Sequence, residues 1–477
     1  MRIFAWLTAA LAAPVLAQPL PDLGGVADAG LTPQLERRIG ESIVRDIRFR
    51  DPTYLDDPEL ADYLGTLGAR LAQAMPGARQ DFEFFVMRDH VINAFALPGG
   101  FVGVHTGLLL AAETESELAG VIAHEIAHIT QRHMARQLGQ QQQMQLPMLA
   151  ALAAAILLAR SRPDLAAGAA VGVQGAAVQS QLSYSRDFER EADRVGLQGL
   201  EGAGFDARAM ASFFERLQRS SRAADDGSVP GYLRTHPLTT ERIADAQNKA
   251  ASLPYRQHLD SAEFQMVRAK LRAESGDARD AVGHFEASVR ERRYASEAAA
   301  RYGFASALLR ARRAKEADAE MARARSAGAG GPMVEALAAR VKQGLGDHAG
   351  ATGLLATART RYPHSRPLLY AQVSALDEAG RHQDALAALA EPLRQRPRDA
   401  RLHSLQAKTY AALGKRALQH QSQAEVYVLQ GSLPAAIEQL QLARSAGDGD
   451  FYQMSVVDAR LKELRAQHAL EMKEAKR

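Results

Sequence analysis

No cysteine occurs anywhere in the 477 residues. That excludes disulfides, a thiol nucleophile and a lipid-modified cysteine, and it confines any bound metal to nitrogen and oxygen ligands. Aromatic residues are scarce at 6%, with a single tryptophan, Trp6. Alanine and arginine are abundant instead, which leans the chain towards helix. Neither sign of charge dominates: 58 basic and 55 acidic residues leave a formal net charge of +3. This balance gives no reason to propose a nucleic-acid partner. Long apolar runs are missing too. Pro147–Ala159 and Leu165–Val178 each fall well short of the roughly 20 residues that cross a bilayer as a helix. What is present is a globular mixture, 47% apolar and 24% charged, long enough for two or three domains.

The first residues read as a secretory leader. Arg2 supplies the positive end, Ile3–Ala13 a short apolar core and Val15-Leu16-Ala17 a small-residue cleavage site, with cleavage expected after Ala17. An exported chain without disulfides fits a bacterial periplasm. Gln18–Gly30 reads as a lead-in. Gln34–Arg50 and Pro58–Met75 then read as helices separated by Asp51-Pro52. Phe82–Met87 is a strand, and Ile92–Leu97 with Phe101–His105 form a hairpin around Pro98-Gly99-Gly100. Asn93, Ala94 and Phe95 are candidates for an edge that holds an extended peptide by strand addition; the alternative is that these strands only pack the core. The apolar pair spanning 147–178 reads as two buried helices or as a hairpin that leans on a membrane surface.

The chemistry centres on His124-Glu125-Ile126-Ala127-His128, inside Glu117–Arg136. Leu118, Val121, Ile122, Ile129 and Met134 recur at helical spacing, and Thr114 with Glu117 forms a capping box. On one helix His124 and His128 share a face and can grip one zinc ion. Glu125, about 100° round the helix, reaches the position of a general base. A third histidine at the spacing H-E-x-x-H-x-x-G-x-x-H would fall on Met134, so that arrangement is absent. His133 reads as a surface or core histidine, and the third ligand is expected to be a distant carboxylate. Glu189 is the candidate. It lies on the helix Tyr184–Glu201 with Asp193 four residues on, so one acid can bind metal while the other orients a ligating imidazole. Glu191 is offset and points away. The bland reading of this helix is a solvated run of charges. His236, before Pro237 in the loop that follows Ala223–Gly231, has three readings: a donor to an oxyanion, a fourth ligand that silences the site, or a loop anchor shared with Arg242.

From about Tyr255 the chain becomes alanine-rich helices separated by glycine turns. Gly346, Gly380 and Gly414 are 34 residues apart, as are Pro363 and Pro397. This step resembles tetratricopeptide repeats, about four to five units over 260–470, each pair burying one face against the next and leaving a surface for a partner. The expected layout is a leader over 1–17, a first domain over 18–255 and a repeat domain over 256–477.

VIAHEIAHITQRH, FEREAD, THPLTTERI and the preceding INAFALPGGFVGVHTGLL together resemble the zinc metallopeptidase family that contains the integral-membrane CAAX prenyl-protein proteases and the HtpX heat-shock protease. The likeness covers about 35–255, and the leader and repeats resemble its soluble periplasmic branch. The resemblance implies a mainly α architecture. A gluzincin-type α+β domain with a small sheet would be followed by an α-helical repeat solenoid. It also implies one zinc ion on His124, His128 and Glu189, with Glu125 as base and Asp193 supporting a ligand. The expected activity is endopeptidase and chaperone-like action on outer-membrane proteins, possible partners being their assembly machinery. A non-proteolytic chaperone or scaffold carried by the repeats is the competing class.

Overall fold

The computed structural model describes residues 31–140, 186–223 and 231–474. The expected leader and its cleavage site, the apolar pair 147–178 and most of the loop after Ala223 lie outside these residues. Among the described residues no helix is long and apolar enough to cross a membrane.

Two prolines open the first two helices, where a missing N–H costs nothing. Thr32 caps α1 (Pro33–Arg50) through the Leu35 N–H, and Asp57 caps α2 (Pro58–Ala74) through the N–H groups of Glu59 and Leu60. Between them lies β1 (Tyr54–Leu55), a two-residue strand that the sequence pattern does not reveal. The predicted hairpin forms: β3 (Ala94–Leu97) and β4 (Phe101–His105) pair antiparallel with Leu97 opposite Phe101. Gly99 and Gly100 close it at φ of +78° and +100°, values that side chains larger than hydrogen resist. β2 (Glu83–Met87) pairs parallel to β4, so the four strands run in the order β1-β2-β4-β3 and β3 lies at the edge.

The sheet separates two apolar layers. Phe85, Phe95, Leu97 and Phe101 pack against Ile43, Val44 and Ile47 of α1. Phe84, Val86, Val102 and Val104 face Leu60, Leu64 and Leu67 of α2 and the helix that carries the histidines. Each such fully buried side chain contributes about 1.5–3 kcal/mol. After the short α3 (Thr106–Ala111), that helix, α4 (Glu115–Thr130), is buried from Glu115 to Ile129. It runs through the interior instead of lying on it. Thr114 accepts from the Glu117 N–H, while the Glu117 carboxylate reaches back one residue beyond the cap to the Glu113 N–H. The expected single helix to Arg136 is broken. Arg132 adopts φ +52°, and the chain restarts as α5 (His133–Gln140).

Four further helices of this half lie among the described residues: α6 (Arg186–Gly202), α7 (Arg208–Ala223), α8 (Gly231–Thr235) and α9 (Thr240–Ser252). At the crossing of α6 on α4, a Cβ on Gly196 would come within 3.2 Å of the His124 backbone nitrogen. The absent side chain lets the two backbones approach, and residues one to two turns earlier on α6 thereby reach the histidines.

Residues 262–474 form twelve helices, Ala262–Glu274 through Phe451–Glu474, stacked as six pairs. The periodic positions explain why they stack. Gly346, Gly380 and Gly414 turn at φ +78°, +73° and +70°. Ala317, Ala351 and Ala385, also 34 apart, are fully buried where the second helix of a pair meets its neighbours. Six pairs exceed the expected four to five: the second pair turns at Arg312 instead of a glycine, and the last turns at Gly447, 33 residues after Gly414.

The first helices of several pairs turn onto the N-terminal half. The Lys270 ammonium lies 2.6 Å from Asp57 and against Glu59, Arg340 lies 3.7 Å from Glu59, Arg366 lies 2.7 Å from Asp62 and Arg401 lies 3.0 Å from Asp56. Part of the surface that the repeats offer is therefore used internally. The connection is pinned as well. Glu115, in the first turn of α4, accepts from the Tyr63 hydroxyl at 3.0 Å and from the Ser261 hydroxyl and N–H at 2.7 and 2.9 Å, while its own N–H donates to Asp260 at 2.7 Å. Burial alone would raise the Asp57 carboxyl, but Lys270 and two backbone N–H groups more than reverse this and hold it below its usual range. The Asp57 contribution is therefore present above its unfolded pKa, about 4, and is lost as pH falls through the lower folded value. Lys270→Met leaves Glu59 and Asp57 buried without their nearest cation. It should cost about 3–5 kcal/mol of unfolding free energy, read by denaturant titration, and Glu59→Gln in the same chain should recover part of that loss.

Candidate metal centre

His124, His128, Glu189 and His236 each place one ligand-type atom within 4.8 Å of the others, and all four side chains are buried. Nε2 of His124 and Nε2 of His128 face each other at 2.9 Å, and Nδ1 of His236 lies 3.3 Å from the former and 3.0 Å from Glu189 Oε1. Glu189 Oε2 is 3.5 Å from His124 Nε2, and Oε1 is 3.5 Å from His128 Nε2. Imidazole nitrogens that converge in this way repel unless a proton or a cation lies between them. The donor set is three nitrogens and a carboxylate, which suits a borderline divalent ion with metal–ligand bonds of about 2.0–2.2 Å.

The charges point the same way. Among the described residues the carboxyl groups of Glu125, Glu189 and Asp193 are buried around one guanidinium, Arg242, so acidic groups outnumber basic ones here. Arg242 grips Asp193 in a fork at 2.8 and 2.9 Å, touches Glu189 Oε2 at 2.7 Å and donates to the Pro237 carbonyl at 2.8 Å. Burial would hold His124 neutral, but Asp193 and Glu189 reverse this and raise it to about 9. His128 is pushed well below its usual range by burial and by its positive neighbour. Burial also works against an ionised Glu189, yet the surrounding imidazoles hold it well below the carboxylate range. The protein thus places a demand for positive charge at the point where the imidazoles meet. A divalent cation there meets it with both imidazoles neutral.

Each expected residue can now be placed. Asp193 Oδ1 lies 3.0 Å from His124 Nδ1, the nitrogen facing away from the cluster, and so fixes that ring's tautomer. Glu125 Oε1 lies 3.4 Å from His236 Nε2. His236 belongs to the cluster itself, carried there by α8 and stacked on Tyr232 at 4.7 Å. Of the two readings of His133, surface or core, the structure has the core one, with a contact to His128 that the spacing does not announce. It is fully buried, with Nδ1 2.9 Å from His128 Nδ1 and Nε2 3.1 Å from Glu191 Oε2. Glu191 does point away from Glu189, but into this second contact. Arg242 is the other residue whose reach the sequence understates, since its pattern gives only a loop anchor.

The edge strand lies beside the cluster. The His105 N–H donates to the Asn93 carbonyl at 3.0 Å, so Asn93, Phe95 and Leu97 turn their backbone groups to β4. Ile92, Ala94 and Ala96 present theirs to the open side. Of the three residues singled out, Ala94 therefore carries outward-facing groups, while Phe95 packs beneath the sheet on Phe85. The Asn93 side chain is 1% exposed and neither amide atom has a hydrogen-bond partner among the described residues. The Tyr232 N–H takes the Ile92 carbonyl at 3.1 Å. A groove of about 460 Å³ continues from His128 along Ala96 and Leu97, walled by Glu36 and Arg132.

Comparison with known proteins agrees with this geometry. The description of peptidase family M48 matches residues 58–250, and that of a tetratricopeptide repeat matches 344–409. The chain is 32% identical over 457 residues to the beta-barrel assembly-enhancing protease of Escherichia coli, covering 94% of this chain and 92% of that one. It is 41% identical to a putative beta-barrel assembly-enhancing protease of Vibrio cholerae over 53% of this chain and 51% of that protein. It is 29% identical to the mitochondrial metalloendopeptidase OMA1 of Arabidopsis thaliana over 46% and 42% of the two chains. With the H-E-x-x-H helix, a distant glutamate converging on it and a repeat solenoid behind, the chain belongs to peptidase family M48 and is a metalloendopeptidase with tetratricopeptide repeats.

Proposed function

We propose that the protein is a zinc-dependent endopeptidase of the bacterial periplasm, exported by a leader cleaved after Ala17, that hydrolyses misfolded or stalled outer-membrane proteins. The observation that carries the reading is the convergence of His124, His128 and Glu189 with Glu125 buried beside them. Residues 18–255 would form the peptidase domain, and the repeats over 256–477 would hold clients or contact their assembly machinery. The printed name of the Escherichia coli relative supports β-barrel clients. The nitrogen and oxygen donor set of a cysteine-free chain supports zinc.

A divalent ion held by His124, His128 and Glu189 would supply Lewis acidity to the scissile carbonyl and to an attacking water. Glu125 is the base that takes a proton from the attacking water and returns it to the leaving amine. Asp193 and Arg242 keep the ligands oriented. The outward groups of Ala94 hold the substrate main chain in extended form, and the Asn93 amide offers hydrogen bonds that no other described residue takes up.

His236 then acts as a gate. It fills the position that a catalytic site keeps open for water or substrate, and α8 covers Asn93 and occupies the Ile92 carbonyl. Displacing α8 frees all three at once. His236→Ala should raise hydrolysis of an unfolded outer-membrane β-barrel protein about tenfold or more over wild type, with the activity of both abolished by a chelator. Chelator-insensitive cleavage would overturn the metallopeptidase reading. Equal rates for His236→Ala and wild type would overturn the gate alone.

A further inference from the structure

His133 is a buried titratable group beside the metal centre that the proposed reaction leaves unused. On an unbroken helix it would lie five residues beyond His128, about 140° round the axis and facing away. The left-handed Arg132 at φ +52° prevents this. It ends α4 and turns α5 back, so that the His133 ring comes to lie behind His128. Arg132 is held there by the Leu31 carbonyl and by Glu36 at 3.5 Å. A left-handed arginine is energetically unfavourable, and that cost is set against a specific placement.

The contacts of His133 run in one direction. Nε2 of His128 faces the cluster, 2.9 Å from His124 Nε2. A nitrogen that binds metal carries no proton, so the His128 proton sits on Nδ1. That atom is 2.9 Å from Nδ1 of His133, which must accept. The His133 proton is then on Nε2, where it donates to Glu191 Oε2 at 3.1 Å, and Arg136 holds the same oxygen at 2.8 Å. The ring also stacks on Phe188, with centroids 4.6 Å apart and planes 13° apart, and the Arg136 guanidinium lies over Phe188. Phe188 directly precedes Glu189. His133 therefore touches a ligand on α4 through a hydrogen bond and the helix of the third ligand through a ring face.

We infer that His133, with Glu191 behind it, is a positioning residue for the metal centre: it selects the tautomer of His128 that leaves Nε2 open to the ion and ties the α4 and α6 ligands into one frame. His124 is oriented by a carboxylate directly, through Asp193. His128 is oriented by a carboxylate one imidazole further away. The two ligands of one H-E-x-x-H motif thus rely on supports of different kinds. The inference rests on His128 being a ligand and not on the identity of the substrate.

Two substitutions separate orientation from packing. His133→Phe keeps an aromatic ring on Phe188 but can neither accept nor donate. His133→Gln restores an acceptor towards His128 and a donor towards Glu191. Zinc affinity of the full chain, measured by competition with a chromophoric chelator, should fall about 10–100-fold in His133→Phe and return to within a few-fold of wild type in His133→Gln. The thermal midpoint of the metal-free protein should stay unchanged in His133→Phe. Should His133→Phe not fold, Glu191→Gln, on the partly exposed end of the chain of contacts, carries the same test with an expected loss of about tenfold. Wild-type zinc affinity in the Phe variant, or equal losses in Phe and Gln that track a lower metal-free midpoint, would overturn the inference. A wild-type protein that binds zinc but cleaves nothing would instead overturn the proposed function and leave this inference standing.

Discussion

Glu125→Gln should lower peptide hydrolysis by about a thousandfold, within the 10²–10⁴ range of positioned acid–base catalysts, and leave the fold and metal content of the protein unchanged. Glutamine matches glutamate in shape, so the fully buried site of Glu125 stays filled. It cannot take a proton from water, and it has none to return to a leaving amine. Glu125 stands 3.4 Å from His236 Nε2 and outside the set of converging ligand atoms, so its replacement removes a base and not a ligand. The measurement pairs initial rates on an unfolded protein substrate with metal analysis of the same preparations. A variant that loses metal along with activity would make Glu125 a structural support. A variant that keeps wild-type turnover would remove it from the reaction.

Glu189→Ala should reduce metal affinity by roughly three orders of magnitude. Structural zinc sites bind with about 10–16 kcal/mol, and one ligand among three or four carries on the order of 4 kcal/mol of that, or about a thousandfold. The buried charge balance adds to the loss: with Glu189 gone, Asp193 is the carboxylate that Arg242 still grips, and less negative charge remains to attract the ion. Glu191→Ala acts at one remove, through His133, and should cost only about tenfold. Metal analysis after dialysis against a weak chelator distinguishes the two. Equal losses would move the third ligand away from Glu189.

Much of this centre is legible in the sequence because helices translate spacing into direction. Four residues between His124 and His128, and four between Glu189 and Asp193, fix which groups share a face whatever the rest of the chain does. The absence of a histidine at Met134 and of cysteine throughout points to a distant carboxylate as a candidate ligand, and Glu189 is brought to the histidines together with His236. His133 escapes the same logic because Arg132 interrupts the helix in a conformation more typical of glycine, and nothing in its side chain announces that. The parallel pairing of β2 with β4 is equally hidden, since a run of apolar residues carries no record of its neighbour's direction. The repeats follow the reverse pattern. Their glycines and alanines give the stacking at once, but the lysine and arginines that meet Asp56–Asp62 look like ordinary surface charge until the two halves are seen together. Asn93 and Tyr232 fall between these cases: their positions beside the strand and the histidine are readable, and the burial of their polar atoms is not.

The junction at Lys270 and Ser261 also sets an order of assembly. As the chain emerges, Glu59 precedes its buried cation by 211 residues, and Glu115 precedes Ser261 by 146. During that interval the first turn of the histidine helix lacks its hydrogen bonds with Asp260 and Ser261, and Asp57 and Glu59 lack the Lys270 ammonium. A truncated or nicked product that ends before the repeats is left in that state. The candidate ligands His124, His128 and Glu189 are encoded in the front half of the chain, whereas the polar contacts that finish the first turn of the histidine helix come from residues made later.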